Sequence, residues 1–181
     1  MVEAQPLPPL PDGASKTERA AQYDAVLERL RVLLQGESDW VAAMSTVVCE
    51  LHVHFDYFHW TGFYRAGPDD SSMLVVGPYQ GALACQRIPF SKGVCGAAAS
   101  THQSQLVPDV HAFPGHIACA SSTQARTILS EVVVPVVASD GSLLAVLDVD
   151  SDLPAAFTAT DVEWLEELCG RLGAQPWASG L

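Results

Sequence analysis

Apolar residues recur at intervals of three and four residues in several segments, the spacing that places them on one face of an α-helix. Three long segments show this pattern: residues 17–36, 38–51 and 157–172. Hydroxyl side chains that favour helix N-termini precede them or open them: Ser15 or Thr17, then Ser38, then Thr158 or Thr160. A shorter glycine-led segment, residues 93–100, predicts a fourth helix.

Short segments rich in β-branched and aromatic residues predict strands. They cover residues 57–64, 73–76, 86–90, 131–138 and 143–150. Turn signals at residues 67–70 and at Asp140-Gly141 predict two hairpins. Pro135 favours an edge or a bulge for its strand. The order of elements predicts an α+β fold, an antiparallel sheet with helices on one face. The long connection at residues 111–127 is expected to be functional or mobile.

Length and charge narrow the class of protein. The 181 residues suit one domain, which we place at residues 16–173 between a flexible lead-in (1–15) and a tail (174–181). Nine basic and 21 acidic residues give a net charge of −12, which argues against nucleic acid or an anionic membrane as partner. With no apolar stretch of membrane-spanning length and no basic leader, the expected compartment is the cytoplasm.

Three of the five cysteines lie on the glycine-rich stretch 77–119, where turns are expected: Cys85, Cys95 and Cys119. Cys95 stands near the start of the short helix, so its pKa is predicted to be lowered. Cys49 and Cys169 fall in long helices and are predicted to be buried packing residues. Free thiols with no C-x-x-C pair favour redox chemistry over a zinc site.

Two metal-binding sites are alternatives to thiol redox chemistry, and the residue spacing supports both of them less well. One is a cluster of histidines, and the other a partial site on the long connection. Their members are His52, His54 and His59 for the first, and His111, His116 and Cys119 for the second.

Carboxylates mark a second candidate site. Asp148 and Asp150 lie two residues apart on a predicted strand, so they share a face, and Glu131 begins the neighbouring strand. Such a group would bind a cation or hold a proton near neutral pH. The alternative is that the two aspartates cap the turn at the strand end. Trp60 and Tyr64 share a face and are candidates for the pocket wall.

Several motifs resemble the free methionine-(R)-sulfoxide reductases, which are single GAF domains. They are W-T-G-F-Y (60–64), V-G-P-Y-Q-G (76–81), A-C-Q-R-I-P-F-S-K-G-V-C-G-A-A (84–98), V-P-D-V-H-A-F-P-G-H-I-A-C (107–119), S-E-V-V-V-P-V (130–136) and L-D-V-D-S (147–151). The resemblance covers residues 16–173. It implies that Cys119 attacks the substrate, that Cys85 is the principal resolving thiol, and that Cys95 is an alternative or auxiliary one. It also implies a substrate pocket formed by Trp60, Glu131, Asp148 and Asp150, with Tyr64 near it.

The resemblance further implies free L-methionine (R)-sulfoxide as substrate, thioredoxin as reductant, a homodimer, and no metal or organic cofactor. Glu131 or Asp148 would supply protons to the departing oxygen. The segment between Cys119 and Glu131 is longer than in the family by about five residues, a tolerated loop length, and it carries Arg126. Two alternatives remain open: a non-catalytic GAF module that binds a small ligand, and a thiol redox sensor.

Overall fold

A computed structural model describes residues 7–67, 72–115 and 127–175. Within these ranges the chain forms one antiparallel sheet whose strand order is β3-β2-β1-β6-β5-β4. The strands are β1 (Trp60–Ala66), β2 (Met73–Gln80), β3 (Arg87–Pro89), β4 (Gln105–Val107), β5 (Ser130–Val137) and β6 (Leu143–Ser151). The helices are α1 (Lys16–Leu33), α2 (Trp40–His54), α3 (Gly93–Thr101) and α4 (Ala159–Gly173), with a 3-10 turn at Val110–Ala112.

Both predicted hairpins are present, β1 with β2 and β5 with β6. The sequence did not indicate how the hairpins meet. They join through β1 and β6, from Trp60 opposite Asp150 to Arg65 opposite Ala145. Strand β1 begins later than predicted, because Tyr57 and Phe58 lie in an irregular segment before it and pack into the core.

The sheet buries both of its faces. Helices α1, α2 and α4 cover one face, where Phe63 and Leu147 meet the largest apolar cluster. Helix α3 covers the other face, packing Val94 and Ala98 against Val133 and Val146. The expectation of helices on one face was therefore incomplete, because the central strands carry apolar residues on both sides.

Helix starts follow local capping chemistry. Ser15 forms a capping box with Glu18 at the start of α1, and Thr158 forms one with Asp161 at the start of α4. In each case the cap is the first of the two candidates that the sequence offered. The prediction of Ser38 for α2 was wrong by one residue. Asp39 is the cap, and its carboxylate accepts the Ala42 amide at 2.8 Å, an interaction that an N-cap aspartate favours.

Strand β5 lies between β6 and β4 and is not an edge strand. However, β4 pairs only with residues 131–133, so Pro135 lies beyond the end of that ladder. This position tolerates the missing amide proton of proline. None of the helices in the described ranges has the length and apolar character needed to cross a membrane.

Candidate active site

Strand register brings the three predicted carboxyl groups together. Glu131 on β5 lies opposite Asp150 on β6, while Asp148 lies opposite Val133. Alternate residues of a strand share a face, and Val133 belongs to the apolar cluster under α3. All three carboxyl groups therefore face α3, away from the main core.

These carboxyl groups are buried, with exposures of 6% for Glu131, 5% for Asp148 and 7% for Asp150. Burial raises the pKa of Glu131 and Asp150 well above their usual range, and that of Asp148 to about 7. These shifts favour the protonated form of the carboxyl groups, in the direction that the two-carboxylate pattern predicts.

The alternative of a strand-end cap does not fit the geometry. Strand β6 runs through Ser151, so both aspartates lie inside it. The following turn is organised by other groups: the Ser151 hydroxyl accepts the Leu153 amide at 3.2 Å, and His59 Nδ1 accepts the Asp152 amide at 3.1 Å.

Glu131, Asp148 and Asp150 form what we call the carboxyl cluster, and Cys95 projects from α3 toward it. Its Sγ donates to Asp148 Oδ2 at 3.1 Å and lies 3.9 Å from Glu131 Oε1. Burial, and then the neighbouring carboxylates, raise the pKa of the Cys95 thiol well above its usual range. The prediction of a lowered pKa was wrong. A helix N-terminus favours the thiolate by about 1 kcal/mol, which does not offset desolvation beside three acids.

Aromatic rings form a wall beside these groups. Trp60 and Tyr64 stack with ring centroids 5.8 Å apart, which agrees with the shared face predicted for them. Tyr79 on β2 stacks on Trp60 at 5.3 Å and was missed by the sequence reasoning. The Trp60 indole donates to the Ala82 carbonyl at 3.0 Å, which fixes the ring. Burial and the charge of Asp148 raise the pKa of the Tyr64 phenol.

Gly62 makes this stacking possible and was also missed. A Cβ at this position would lie 2.5 Å from the Trp60 ring and 2.4 Å from Tyr79 Cβ. No side chain fits there. The signal was a glycine inside the W-T-G-F-Y strand, since such a glycine often marks a close approach.

The other cysteines differ in their environments. Cys119 lies outside the described residues, as does Arg126. Cys85 forms a disulfide and packs against the apolar cluster under α3. Cys169 is buried in the main core, as predicted. Cys49 is an exposed thiol on α2, so the prediction of burial was wrong; its position falls on the solvent-facing stripe of the helix.

The three clustered histidines contact other partners. His52 meets the Thr61 hydroxyl at 3.3 Å, His54 meets Glu50 at 3.3 Å, and His59 meets Asp152 at 2.8 Å. His116 and Cys119 of the second alternative lie outside the described residues. In the described part of the chain, one group of possible ligand atoms lies within 4.8 Å: Cys95, Glu131 and Asp148.

A family model for the GAF domain matches residues 38–174, and the chain is therefore a GAF domain. Free methionine-R-sulfoxide reductase of Saccharomyces cerevisiae is 40% identical over 153 residues, covering 80% of this chain and 82% of the relative. The protein of the same name from Escherichia coli is 38% identical, covering 83% and 87%.

A crystal structure of free methionine-R-sulfoxide reductase from Neisseria meningitidis in complex with its substrate gives the same result in three dimensions. It superimposes with a TM-score of 0.78 at 40% identity, covering 93% of this chain and 94% of that one. The chain belongs to the free methionine-R-sulfoxide reductase family of GAF domains. The resemblance found in the sequence motifs is thus confirmed.

Proposed function

We propose that this protein reduces free L-methionine (R)-sulfoxide to L-methionine by thiol chemistry. The observation that carries the proposal is the buried group of Glu131, Asp148 and Asp150 beside the Trp60–Tyr64 stack. A proton-holding carboxyl cluster under an aromatic wall suits a small zwitterion that carries an oxygen to be protonated. Family membership, with relatives named for this reaction, supports the same substrate.

The substrate has complementary parts. Its ammonium group would offset the charge that the carboxyl cluster takes on, which is otherwise unfavourable at such depth. Its methyl and methylene groups would lie against Trp60 and Tyr64, since aromatic faces bury apolar groups well. Its carboxylate suits backbone amides of the glycine-rich stretch 77–119.

The chemistry begins with the thiolate of Cys119, which attacks the sulfoxide sulfur. As the sulfur–oxygen bond breaks, the oxygen gains protons, and Glu131 or Asp148 is the donor. The burial of both groups and the pKa of about 7 for Asp148 support this role. The oxygen leaves as water, and the Cys119 sulfur is then bonded to the methionine sulfur as a sulfonium. A water molecule attacks the Cys119 sulfur and breaks that bond, which releases methionine and one proton and leaves Cys119 as a sulfenic acid.

A second thiol completes the cycle. Cys85 condenses with the sulfenic acid, which forms a disulfide and releases water. The bonded state of Cys85 is compatible with this role. Cys95 is the auxiliary thiol; its burial and raised pKa disfavour it as the attacking group. A thioredoxin-type dithiol then reduces the disulfide by exchange.

The first experiment couples the purified protein to thioredoxin, thioredoxin reductase and NADPH. We expect NADPH oxidation with the R epimer of free methionine sulfoxide, none with the S epimer, and loss of turnover in Cys119→Ser. Cys169→Ser is the matched control, because that thiol is buried in the main core on the opposite face of the sheet. It should turn over normally. No turnover with either epimer would contradict the proposal and favour a sensing or ligand-binding GAF domain.

The homodimer that the resemblance implies, the cytoplasmic location and the domain limits stay predictions. Light scattering on the purified protein measures the first.

A further inference from the structure

Cys95, Glu131 and Asp148 reach one point from three different elements: α3, β5 and β6. Their possible ligand atoms all lie within 4.8 Å of one another. All three residues are buried, with Cys95 4% exposed. A thiol and two carboxyl groups are a set of ligands that binds divalent metal ions, and proteins seldom bury such a set without a partner for it.

A second observation concerns one atom of this set. Asp148 Oδ1 is fully buried and has no hydrogen-bond partner among the described residues. The other oxygen, Oδ2, accepts the Cys95 thiol. Buried carboxylate oxygens are almost always paired, so this oxygen marks a place for an electropositive ligand.

The separations suit a tetrahedral zinc ion. Zinc–sulfur bonds of about 2.3 Å and zinc–oxygen bonds of about 2.1 Å place sulfur and oxygen ligands about 3.6 Å apart. The two sulfur–oxygen distances here are 3.1 and 3.9 Å, which lie on either side of that value.

We propose that the reduced protein binds one thiophilic divalent cation, of the zinc type, through Cys95, Glu131 and Asp148. Binding replaces the thiol proton, and any proton on Glu131 or Asp148, with bonds to the metal, and releases these protons to solvent with no change of oxidation state. A fourth position stays open to water. The family resemblance implies no metal for catalysis, and this ion is an inhibitor of the site and not a cofactor.

Inhibition rests on the function proposed above. The ion would occupy the two carboxyl groups assigned to the substrate, so it would compete with methionine sulfoxide. It would also hold Cys95 as a thiolate that cannot take part in disulfide formation.

Binding is measured first, with Co²⁺ and Zn²⁺ alone. The Cys85→Ser/Cys119→Ser background removes the two other thiols of the proposed cycle and keeps Cys95 reduced. We expect one Co²⁺ per chain, a thiolate-to-cobalt charge-transfer band, and the strong visible absorption of four-coordinate cobalt. Zn²⁺ should displace the Co²⁺ stoichiometrically.

Variants in this background test the ligand set. Cys95→Ser should abolish the charge-transfer band, and Asp148→Asn and Glu131→Gln should each weaken binding at least tenfold. Thermal melts confirm that each variant is folded. Cys49→Ser, which alters an exposed thiol on α2, should bind cobalt normally. No stoichiometric binding, or a band that survives Cys95→Ser, would overturn the proposal.

Activity separates this inference from the function on which it rests. Zn²⁺ should inhibit wild-type turnover competitively with methionine sulfoxide, and a chelator should restore it. Turnover that zinc does not affect would contradict the inhibitory role while leaving the reductase intact. A protein that binds cobalt but shows no turnover under any condition would support the metal site and contradict the reductase function.

Discussion

Cys95 shows how the surroundings of one residue override a local rule. Its place near the start of α3 predicted a thiol with a lowered pKa, and this prediction depended only on the position of Cys95 in the sequence. Its three carboxyl neighbours come from β5 and β6, at least 36 residues away. No local pattern reports them, so the sign of the pKa shift could not be obtained from sequence.

The raised pKa of the Cys95 thiol predicts low reactivity in the reduced native protein. Iodoacetamide reacts with thiolates, so at pH 8 Cys95 should be alkylated at least tenfold more slowly than the exposed Cys49. Mass spectrometry of timed samples measures both sites in one experiment. Asp148→Asn should speed alkylation of Cys95, because it removes a nearby negative charge. Equal rates at Cys95 and Cys49 would contradict the buried environment.

Asp148 should reduce stability while it supports activity. Burial raises its pKa from 3.8 to about 7, so the unfolded chain releases this proton more readily than the folded one. The resulting penalty is absent below about pH 4, grows as pH rises, and is complete above about pH 7. Asp148→Asn should therefore add on the order of 1–4 kcal/mol to the free energy of unfolding at pH 8 and nothing at pH 4.

Urea unfolding across that pH range tests the stability change. In the coupled assay, the turnover of Asp148→Asn should fall by about 10²–10⁴-fold, because the variant loses a proton donor. Asp140→Asn is the control of opposite sign. Hydrogen bonds from Ser142 lower the pKa of that exposed carboxyl, so it gives a small stabilisation above its unfolded pKa that is lost as pH falls. An Asp148→Asn protein that gains no stability at pH 8 would contradict the assignment.

At the scale of elements, α1 and α4 are joined by a buried ion pair. Arg19 donates to Asp161 at 2.7 Å, and the Tyr23 and Tyr57 hydroxyls donate to the same carboxylate at 2.9 and 2.7 Å. The sequence predicted both helices but not this contact, because its partners are 142 residues apart. Periodicity reveals which face of a helix is buried and not which polar group lies there.

Asp161→Ala should therefore destabilise the protein by about 3–5 kcal/mol, since it leaves Arg19 buried without its counter-charge. Denaturant unfolding measures the change. Glu167→Ala removes the exposed pair with Arg171 on the same helix and should change stability by about 0–1 kcal/mol. Similar losses in both variants would show that burial does not set the strength of the Asp161 contacts.

Among the strand pairs, the sequence predicted the hairpins but not the pairing between them. Each hairpin was predicted from its turn, because the two strands are close in sequence. The β1–β6 pair joins residues that are 80 to 90 positions apart in the sequence, and only its register brings Trp60 beside Asp150. The composition of the site was therefore predicted, through motifs that resemble a family, while its depth and its hydrogen bonds were not.

At the scale of the molecule, the two faces of the sheet have different roles. The face under α1, α2 and α4 carries the large apolar core, whereas the face under α3 carries the smaller apolar cluster with the carboxyl groups and Cys95. Burial under this second apolar layer raises the pKa of the ionisable groups. It also limits what the site can accept, because a neutral substituent brings no charge to stabilise an ionised carboxylate there.

Substrate choice should reflect this architecture. N-acetylation of methionine (R)-sulfoxide removes the ammonium group that the carboxyl cluster is proposed to bind. Losing one partner of a buried charged pair costs about 2–5 kcal/mol, so kcat/KM should fall by about 30- to 5,000-fold relative to the free amino acid. The coupled assay with both compounds measures the ratio. The effect should shrink in Asp150→Asn, where one acid is absent. Equal kcat/KM values for the two substrates would mean that the cluster serves proton transfer alone and does not recognise the free amino group.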